Sequence, residues 1–190
     1  MHDTERKKRD IQAMETLLTV AREAAARGEI PIAASLVLND ELIASAANCR
    51  ESRQDPTGHA EILCLRKAAE LLKTRFFPEA TLYVTIEPCL MCLGAIVQAR
   101  VGRVVYGASE PKFGAMHLFE MDQLPVNHHP EIIGGICADE AAMLMREFFQ
   151  KRRILNRQVG SRALRRQHYE EGFLKIDPRE DDGFVTRNGH

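Results

Sequence analysis

Two cysteines, Cys89 and Cys92, stand three residues apart directly after Pro88. This spacing places both thiols on one face of a helical turn. The N-terminus of a helix favours the thiolate, which is the form that binds metal ions. An isolated pair of this kind also occurs as a redox dithiol, as half of a structural zinc site or as two buried cysteines. A third ligand is needed to decide between these readings.

His59 supplies a candidate third ligand, because it follows the turn 55–58 and begins a predicted helix. Together, His59, Cys89 and Cys92 leave one tetrahedral position for water, which is typical of a catalytic zinc site and not of a closed structural one. Zinc lowers the pKa of such a water to about 7. The sequence therefore predicts one catalytic zinc ion.

Glu61 follows His59 by two positions. Residues two apart on an ideal helix do not face each other, so a solvated surface glutamate is the alternative interpretation. The chemistry favours a catalytic role. Replacing an amino group by oxygen requires one proton to leave water and one to reach the departing ammonia, and a single carboxyl group can move both. We therefore predict Glu61 as the general acid and base.

Hydrophobic periodicity and turn residues predict alternating helices and strands. Helices are expected at residues 5–27, 59–73, 88–99 and 139–153, the last extending as far as Gly160. Strands are expected at 30–38, 41–47, 81–86, 104–107 and 131–133, the first two as a hairpin. Thr57 and Asp139 are expected to cap helices, and Pro88 to open one. This order indicates an α/β protein, a three-layer α/β/α sandwich with a mixed five-stranded sheet.

Charge is informative only near the C-terminus, since the formal net charge of the chain is −1. Between Lys151 and Tyr169 lie seven basic residues and no acidic one. Such a run either contacts phosphates or forms the solvated face of a helix. No segment is apolar enough to span a membrane or to act as a signal peptide, and the five cysteines do not suggest a disulfide framework. We expect a cytoplasmic protein.

The pattern His59-x-Glu61 with Pro88-Cys89-x-x-Cys92 resembles the signature of zinc nucleobase deaminases. Longer stretches are similar to the bacterial tRNA-specific adenosine deaminase family, at residues 48–61, 81–95, 103–108 and 126–153. The resemblance extends from about Ala13 to Arg153. It implies a cytidine deaminase-like fold, a homodimer, and conversion of the wobble adenosine of a tRNA anticodon to inosine.

The resemblance also implies roles for individual residues. Asn48 would hydrogen-bond the inserted base, the backbone of Ala60 would meet its edge, and Glu61 would move the protons. The base must leave its stack, which costs little in a single-stranded anticodon loop. Further substrate contacts are expected from Glu110, Lys112, Phe149, Arg152 and Arg153. Phe148 and Phe149 either stack on a base or pack into the core.

We expect residues 1–159 to form the zinc deaminase domain, and residues 160–190 to form a basic, then acidic, partly disordered extension. Two other functions stay open. The first is deamination of a free nucleobase or nucleoside, such as guanine or cytosine, which needs no basic run. The second is a non-catalytic zinc-stabilised RNA-binding subunit. Glu61 argues against the second, because a structural zinc site has no use for a proton shuttle.

Overall fold

The computed structural model describes residues 2–116 and 125–159 of the chain. All the helices and strands expected from the sequence are present, together with one further short helix. In chain order the elements are α1 (His2–Ala26), β1 (Ala33–Leu38), β2 (Glu41–Ala47), α2 (Arg50–Arg53), α3 (Ala60–Leu72), β3 (Thr81–Ile86), α4 (Leu90–Gln98), β4 (Arg103–Ala108), β5 (Glu131–Ile133) and α5 (Ala138–Val159).

The five strands form one mixed sheet in the order β2-β1-β3-β4-β5. β1 pairs antiparallel with β2 and β3, and β4 pairs parallel with β3 and β5. Asn39 and Asp40 form the turn between β1 and β2, with φ values of 53° and 63°. Asn and Asp adopt such positive φ values more readily than most residues, and a two-residue hairpin turn requires them. The predicted hairpin and mixed sheet are confirmed.

Helices cover both faces of this sheet. Side chains alternate along β3, so that Leu82 and Val84 lie in a buried cluster with residues of α3 and α4. Tyr83 points the other way, into a cluster that contains Met14 of α1 and Ala141 of α5. The predicted three-layer α/β/α arrangement is therefore confirmed.

Thr57 does not cap α3, contrary to the sequence prediction. Its N–H and its hydroxyl both donate to Oδ1 of Asp55, at 2.8 and 2.7 Å, and close a local turn. His59 is the residue that precedes the helix, with an extended backbone (φ −77°, ψ 146°). The imidazole therefore leaves an extended segment and not a helical turn.

Pro88 and Asp139 also differ from their predicted places at helix starts. The carbonyl of Pro88 accepts a hydrogen bond from the N–H of Ala115 at 2.9 Å, which holds this segment extended. α4 therefore begins only after Cys89, which is its cap residue. α5 begins one residue before Asp139, so this carboxylate lies in the first turn, where the helix dipole favours negative charge.

Backbone contacts divide the chain into two units, residues 1–148 and 149–190. The described part of the second unit is the C-terminal part of α5, which continues past Arg153 to Val159 as predicted. The domain boundary after residue 159 stays a prediction, and the predicted extension at 160–190 lies outside the described residues. No helix within the described ranges has the length and apolar character needed to cross a membrane.

A buried ion pair joins α1 to the strands β3 and β4. Two nitrogens of Arg103 donate to the two carboxylate oxygens of Asp10, at 2.7 and 2.6 Å, and the Tyr83 hydroxyl donates to Asp10 at 2.9 Å. The side chains of Arg103 and Asp10 are 9% and 5% exposed. Burial alone would raise the pKa of Asp10, but the hydrogen bonds from Arg103 and Tyr83 outweigh burial and lower this pKa.

We expect Asp10→Asn to reduce the free energy of unfolding by about 3 kcal/mol at pH 7, because the buried Arg103 charge loses its bidentate partner and keeps, among the described residues, only the half-exposed Glu131, 3.5 Å from its Nε. Folding lowers the pKa of Asp10, so its contribution is present at neutral pH and is lost as the pH falls below the ordinary value of 3.8. Urea unfolding of both proteins between pH 7 and pH 3 should therefore show the difference shrinking towards acid.

Asp40→Asn is the matched control. Asp40 also pairs with an arginine, Arg9, at 3.0 Å, but its side chain is 73% exposed. An exposed pair contributes less than about 1 kcal/mol. Equal losses in the two variants would contradict a special role for the buried pair.

Candidate active site

Three side chains that can bind a metal ion meet where α3 and α4 begin. His59 precedes α3, Cys89 precedes α4, and Cys92 lies in the first turn of α4. Both helices pack on the same face of the sheet and contact each other. His59 Nδ1 is 3.6 Å from Cys89 Sγ and 3.5 Å from Cys92 Sγ, and all three ligand atoms lie within 4.8 Å of one another. The predicted ligand residues are therefore together.

The electrostatics of this cluster already favour one thiolate. The pKa of Cys89 is lowered to about 4, chiefly by a hydrogen bond from Cys92. Burial acts against this shift, and a hydrogen bond with His59 adds to it. The same hydrogen bond to Cys89, together with burial, raises the pKa of Cys92. The hydrogen bond with Cys89 also raises the pKa of His59. Metal binding would require loss of the remaining thiol proton, as it does at cysteine sites generally.

The donor set fits a metal ion with an open coordination position. Within residues 2–116 and 125–159, this is the only group of three His, Cys, Asp or Glu ligands close enough to share an ion. Cys92 is fully buried, and His59 and Cys89 are half-buried, so the cluster is shielded but reachable from one side. Three ligands and one free position are typical of catalytic and not of structural sites.

Glu61 lies in the first turn of α3 and is 3% exposed. Its Oε2 atom is buried and has no hydrogen-bond partner among the described residues. Buried polar atoms without a partner are uncommon in folded proteins. Burial is the largest effect on its pKa, which is raised, and His59 and Cys92 are near enough to oppose this shift. Because His59 lies outside the helix, the rule that forbids residues two apart from facing each other does not apply here. The carboxyl group lies at the metal-binding cluster.

The end of β2 is tied to the start of α3. Asn48 follows β2 and is 4% exposed. The next residue, Cys49, donates its N–H to the carbonyl of Gly58 at 2.9 Å, directly before His59. Ala60, the first residue of α3, is fully buried. Asn48 and Ala60 are thus held close in the fold to the ligand His59, and their contacts with a base stay predictions.

The loop after β4 lies against the segment that carries the second ligand. Gly114 forms an isolated antiparallel bridge with Cys89. Within the same loop, Oε1 of Glu110 accepts the N–H of Lys112 at 3.0 Å. The predicted residues Glu110 and Lys112 are therefore in a loop that borders the cluster. Their role as substrate contacts stays a prediction.

Two buried glutamates that the sequence analysis did not single out hold these loops. Glu29 is 4% and Glu87 is 5% exposed. Glu87 accepts the N–H groups of Glu110 and Met116, each at 2.9 Å. Glu29 accepts hydrogen bonds from the Asn48 side chain and from two N–H groups of α2. Glu29 stands two residues before Pro31, and Glu87 directly before Pro88, each at the border of an apolar run. A charged residue at such a border is a sequence signal that could have identified them as buried.

The remaining predicted contacts, Phe149, Arg152 and Arg153, lie on the part of α5 that belongs to the second unit. They stay predictions. Phe148, the last residue of the first unit, is 9% exposed and belongs to the core, as expected for at least one of the two phenylalanines.

Comparison with known proteins agrees with this geometry. A family model for MafB19-like deaminases matches residues 8–153. The tRNA-specific adenosine deaminase of Agrobacterium fabrum is 42% identical over 143 residues, or 74% of this chain and 94% of that protein. The chain belongs to the tRNA-specific adenosine deaminase family. The similarity covers every residue of the metal cluster and Glu61, since all lie within the matched range of the family model.

Solved structures of two kinds share the fold of this family member. One comes from a study of A-to-I editing by tRNA:A34 deaminases and matches with a TM-score of 0.66 at 42% identity, covering 69% of this chain and 96% of that one. The other is a guanine deaminase from Nitrosomonas europaea, with a TM-score of 0.60 at 26% identity, covering 71% and 81% of the two chains. The fold is thus common to deaminases of polymeric and of small substrates.

We expect the purified wild-type protein to contain one metal ion per chain and Cys92→Ala to contain almost none, because two remaining ligands hold an ion far more weakly. Elemental analysis of the dialysed proteins measures this. Cys64→Ala is the matched control, since Cys64 is also fully buried but lies outside the cluster. It should lose packing energy and keep the metal. Two ions per wild-type chain, or metal retained by Cys92→Ala, would refute this ligand set.

Proposed function

We propose that this protein is a zinc-dependent hydrolase that converts the wobble adenosine of a tRNA anticodon to inosine. The observation that carries the proposal is the Glu61 carboxyl group, which is buried beside the three ligand atoms with one oxygen unpaired. A buried carboxyl oxygen that has no hydrogen-bond partner among the described residues is available to exchange protons with a substrate. The tRNA substrate is supported by the 42% identity to a tRNA-specific adenosine deaminase over nearly its full length.

His59, Cys89 and Cys92 would hold the zinc ion, since one imidazole and two thiolates are ligands that zinc prefers. When bound, zinc acts as a Lewis acid that makes water acidic enough to attack at neutral pH. Glu61 lies close enough to His59 and Cys92 for their charges and hydrogen bonds to affect its carboxyl group, so it would act beside the bound metal ion.

Glu61 would move the protons of the reaction. Water adds its oxygen to C6 of adenine, while Glu61 accepts one proton of this water and delivers it to N1. Glu61 then moves the remaining hydroxyl proton to N6, the bond between C6 and N6 breaks, and ammonia leaves as the C6 carbonyl forms. The same group acts first as base and then as acid, which is efficient when its pKa lies closer to neutral pH than that of an exposed glutamate. Burial of Glu61 raises its pKa in this direction.

Asn48 and the backbone of Ala60 would hold the adenine edge. Both are buried residues at the ends of elements tied to His59, so their positions relative to the metal are set by the fold. A base that enters such a site has to leave its stack, and a single-stranded anticodon loop makes this inexpensive. The homodimer implied by the resemblance, and the cytoplasmic location, stay predictions.

A free-base deaminase is the alternative, because a guanine deaminase shares the fold at 26% identity. The metal ligands and Glu61 would do the same chemistry in both enzymes, so the reacting centre does not separate them. A non-catalytic RNA-binding role is disfavoured by Glu61. An unpaired buried carboxyl costs stability, which a purely structural site would have no reason to retain.

Parallel incubation with tRNA, guanine and cytidine separates these functions. We expect inosine in the tRNA reaction, without xanthine or uridine in the other two. Glu61→Ala should keep its metal and fold but reduce turnover by orders of magnitude, because only the proton shuttle is removed. Mass spectrometry of nucleosides from digested tRNA measures the product. Xanthine alone would favour the free-base enzyme, and more than about a tenth of the wild-type rate in Glu61→Ala would exclude its assigned role.

The basic residues of α5 give a second test of the tRNA substrate. Arg152, Arg153 and Arg157 all lie on this helix within the second unit. If they neutralise RNA phosphates, each contact contributes about −0.7 to the slope of log affinity against log salt. Changing all three to Gln should raise KM for tRNA and flatten this slope by about two, while kcat at saturating tRNA changes little. KM measured at several salt concentrations gives both quantities.

A triple Gln variant with unchanged KM and unchanged salt slope would show that this run is only a solvated helix face. The matched control changes Arg22 and Arg27, two basic residues in the N-terminal part of the chain, to Gln. It alters the total charge in the same direction but removes no proposed phosphate contact. A similar effect in both variants would mean that the total charge of the protein, and not phosphate contacts of α5, causes the change in KM.

A further inference from the structure

Glu29 is a buried carboxyl group that takes part in none of the salt bridges found among the described residues. It follows α1 and is 4% exposed. Its Oε1 accepts the N–H of Ser52 at 2.7 Å, and its Oε2 accepts the N–H of Glu51 at 3.2 Å and Nδ2 of Asn48 at 3.4 Å. Every one of these partners is a donor. A carboxylate suits this position because it offers only acceptors.

The two backbone donors belong to the first turn of α2. The first N–H groups of any helix lack partners within the helix, and a side chain at the cap position usually accepts them. Cys49 occupies the cap position of α2 and makes no such bond. Glu29, from the segment after α1, accepts the N–H groups of Glu51 and Ser52 that a cap side chain would otherwise accept. This explains why so short a helix forms at this place.

The third donor, the amide of Asn48, is already held by its backbone. The N–H of Asn48 donates to the carbonyl of Ile32 at 2.8 Å, and the next residue is bonded to Gly58. The backbone of Asn48 is thereby fixed, and its side chain is buried at 4% exposure, so the orientation of the amide group is what its neighbours have to decide. Because Oδ1 and Nδ2 are nearly equal in size, packing alone does not choose between the two orientations. The chemistry of the neighbour does.

We propose that Glu29 is a positioning residue that fixes the amide orientation of Asn48, so that its carbonyl and its second N–H occupy set places for a substrate base. The inference rests on the proposed function, because Asn48 contacts a base only in that role. An acceptor-only carboxylate at this point excludes the flipped amide, since Oδ1 would then face another oxygen. Donor and acceptor positions towards the base would otherwise be exchanged.

Glu29→Gln tests this orientation directly, because it keeps the size of the side chain and adds a donor. If the new carbonyl accepts Ser52, the new amino group faces Asn48 and favours the flipped amide, while the N–H of Glu51 loses its acceptor in every Glu29→Gln background. We expect metal content to stay at the wild-type level and kcat on tRNA to fall by about 10- to 100-fold, with KM changed by less than about threefold. A buried hydrogen bond to a charged group has effects of this order. Glu23→Gln, an exposed glutamate on α1, is the matched control and should change neither constant.

A double-mutant cycle separates positioning from a general loosening of the loops. In an Asn48→Ala background there is no amide to orient, so adding Glu29→Gln should lower kcat by less than about twofold further. Full, multiplicative losses from the two changes would overturn the proposal, because Glu29 would then act independently of Asn48. An active Glu29→Gln enzyme with wild-type kcat would overturn it as well.

A second pair of variants keeps the test decisive if Glu29→Gln alone does not fold. Asn48→Asp places a second carboxylate against Glu29 and should lower Tm. Adding Glu29→Gln to Asn48→Asp restores a donor between the two side chains and should raise Tm by about 2–4 °C. No increase would refute direct contact between the two groups.

The proposed function is judged separately, by the wild-type protein alone. If wild type forms xanthine from guanine and no inosine in tRNA, that function fails. The same cycle on guanine then still decides whether Glu29 acts through Asn48.

Discussion

The side-by-side packing of α3 and α4 is the constraint on which the rest of the structure depends. The starts of the two helices lie together, with His59 directly before α3, Cys89 directly before α4 and Cys92 in the first turn of α4. A shift of one helix by a single turn would move its ligands by about 5 Å, more than the 4.8 Å that contains all three ligand atoms. The apolar residues between these helices and β3 therefore have to fix the metal site as well as the core.

Three buried glutamates surround this site, and their partners distinguish their roles. Glu29 and Glu87 have their oxygens occupied by N–H donors from neighbouring loops, so each holds backbone in place. Glu61 has an oxygen without a partner. Burying a carboxyl group is unfavourable unless hydrogen bonds compensate, and only Glu61 leaves part of that cost uncompensated. An oxygen of this kind is available for chemistry, whereas Glu87 holds backbone and Glu29 holds both backbone and the Asn48 amide.

The residues of this site differ in how far the sequence alone could predict their positions. The metal ligands were predictable, because the cysteine spacing and the position of His59 each depend on a single helix start. The direction of Glu61 was not, because it depends on the turn in which Thr57 bonds to Asp55 and leaves His59 outside the helix. Glu29 was missed for a related reason. Its place shortly before Pro31 marks it as unusual, but two of its partners are backbone N–H groups, which every residue carries, so the sequence does not reveal what it binds.

Solved structures from studies of tRNA deaminases and of a guanine deaminase share this fold, so the fold alone does not select the substrate. The loop after β4 is anchored by Glu87, so exposed side chains in it can differ while its backbone keeps the same conformation. Glu87 binds main-chain N–H groups, so the side chains between them are free to vary, and Phe113 there is 69% exposed. Gly114 and Ala115 are exceptions, because a Cβ atom at Gly114 would lie 2.4 Å from the Glu87 carboxyl carbon and Ala115 is fully buried in a cluster with Leu93 and Val97. The backbone path is thereby fixed at one glycine and one carboxylate, while the exposed positions remain available to recognise a different substrate.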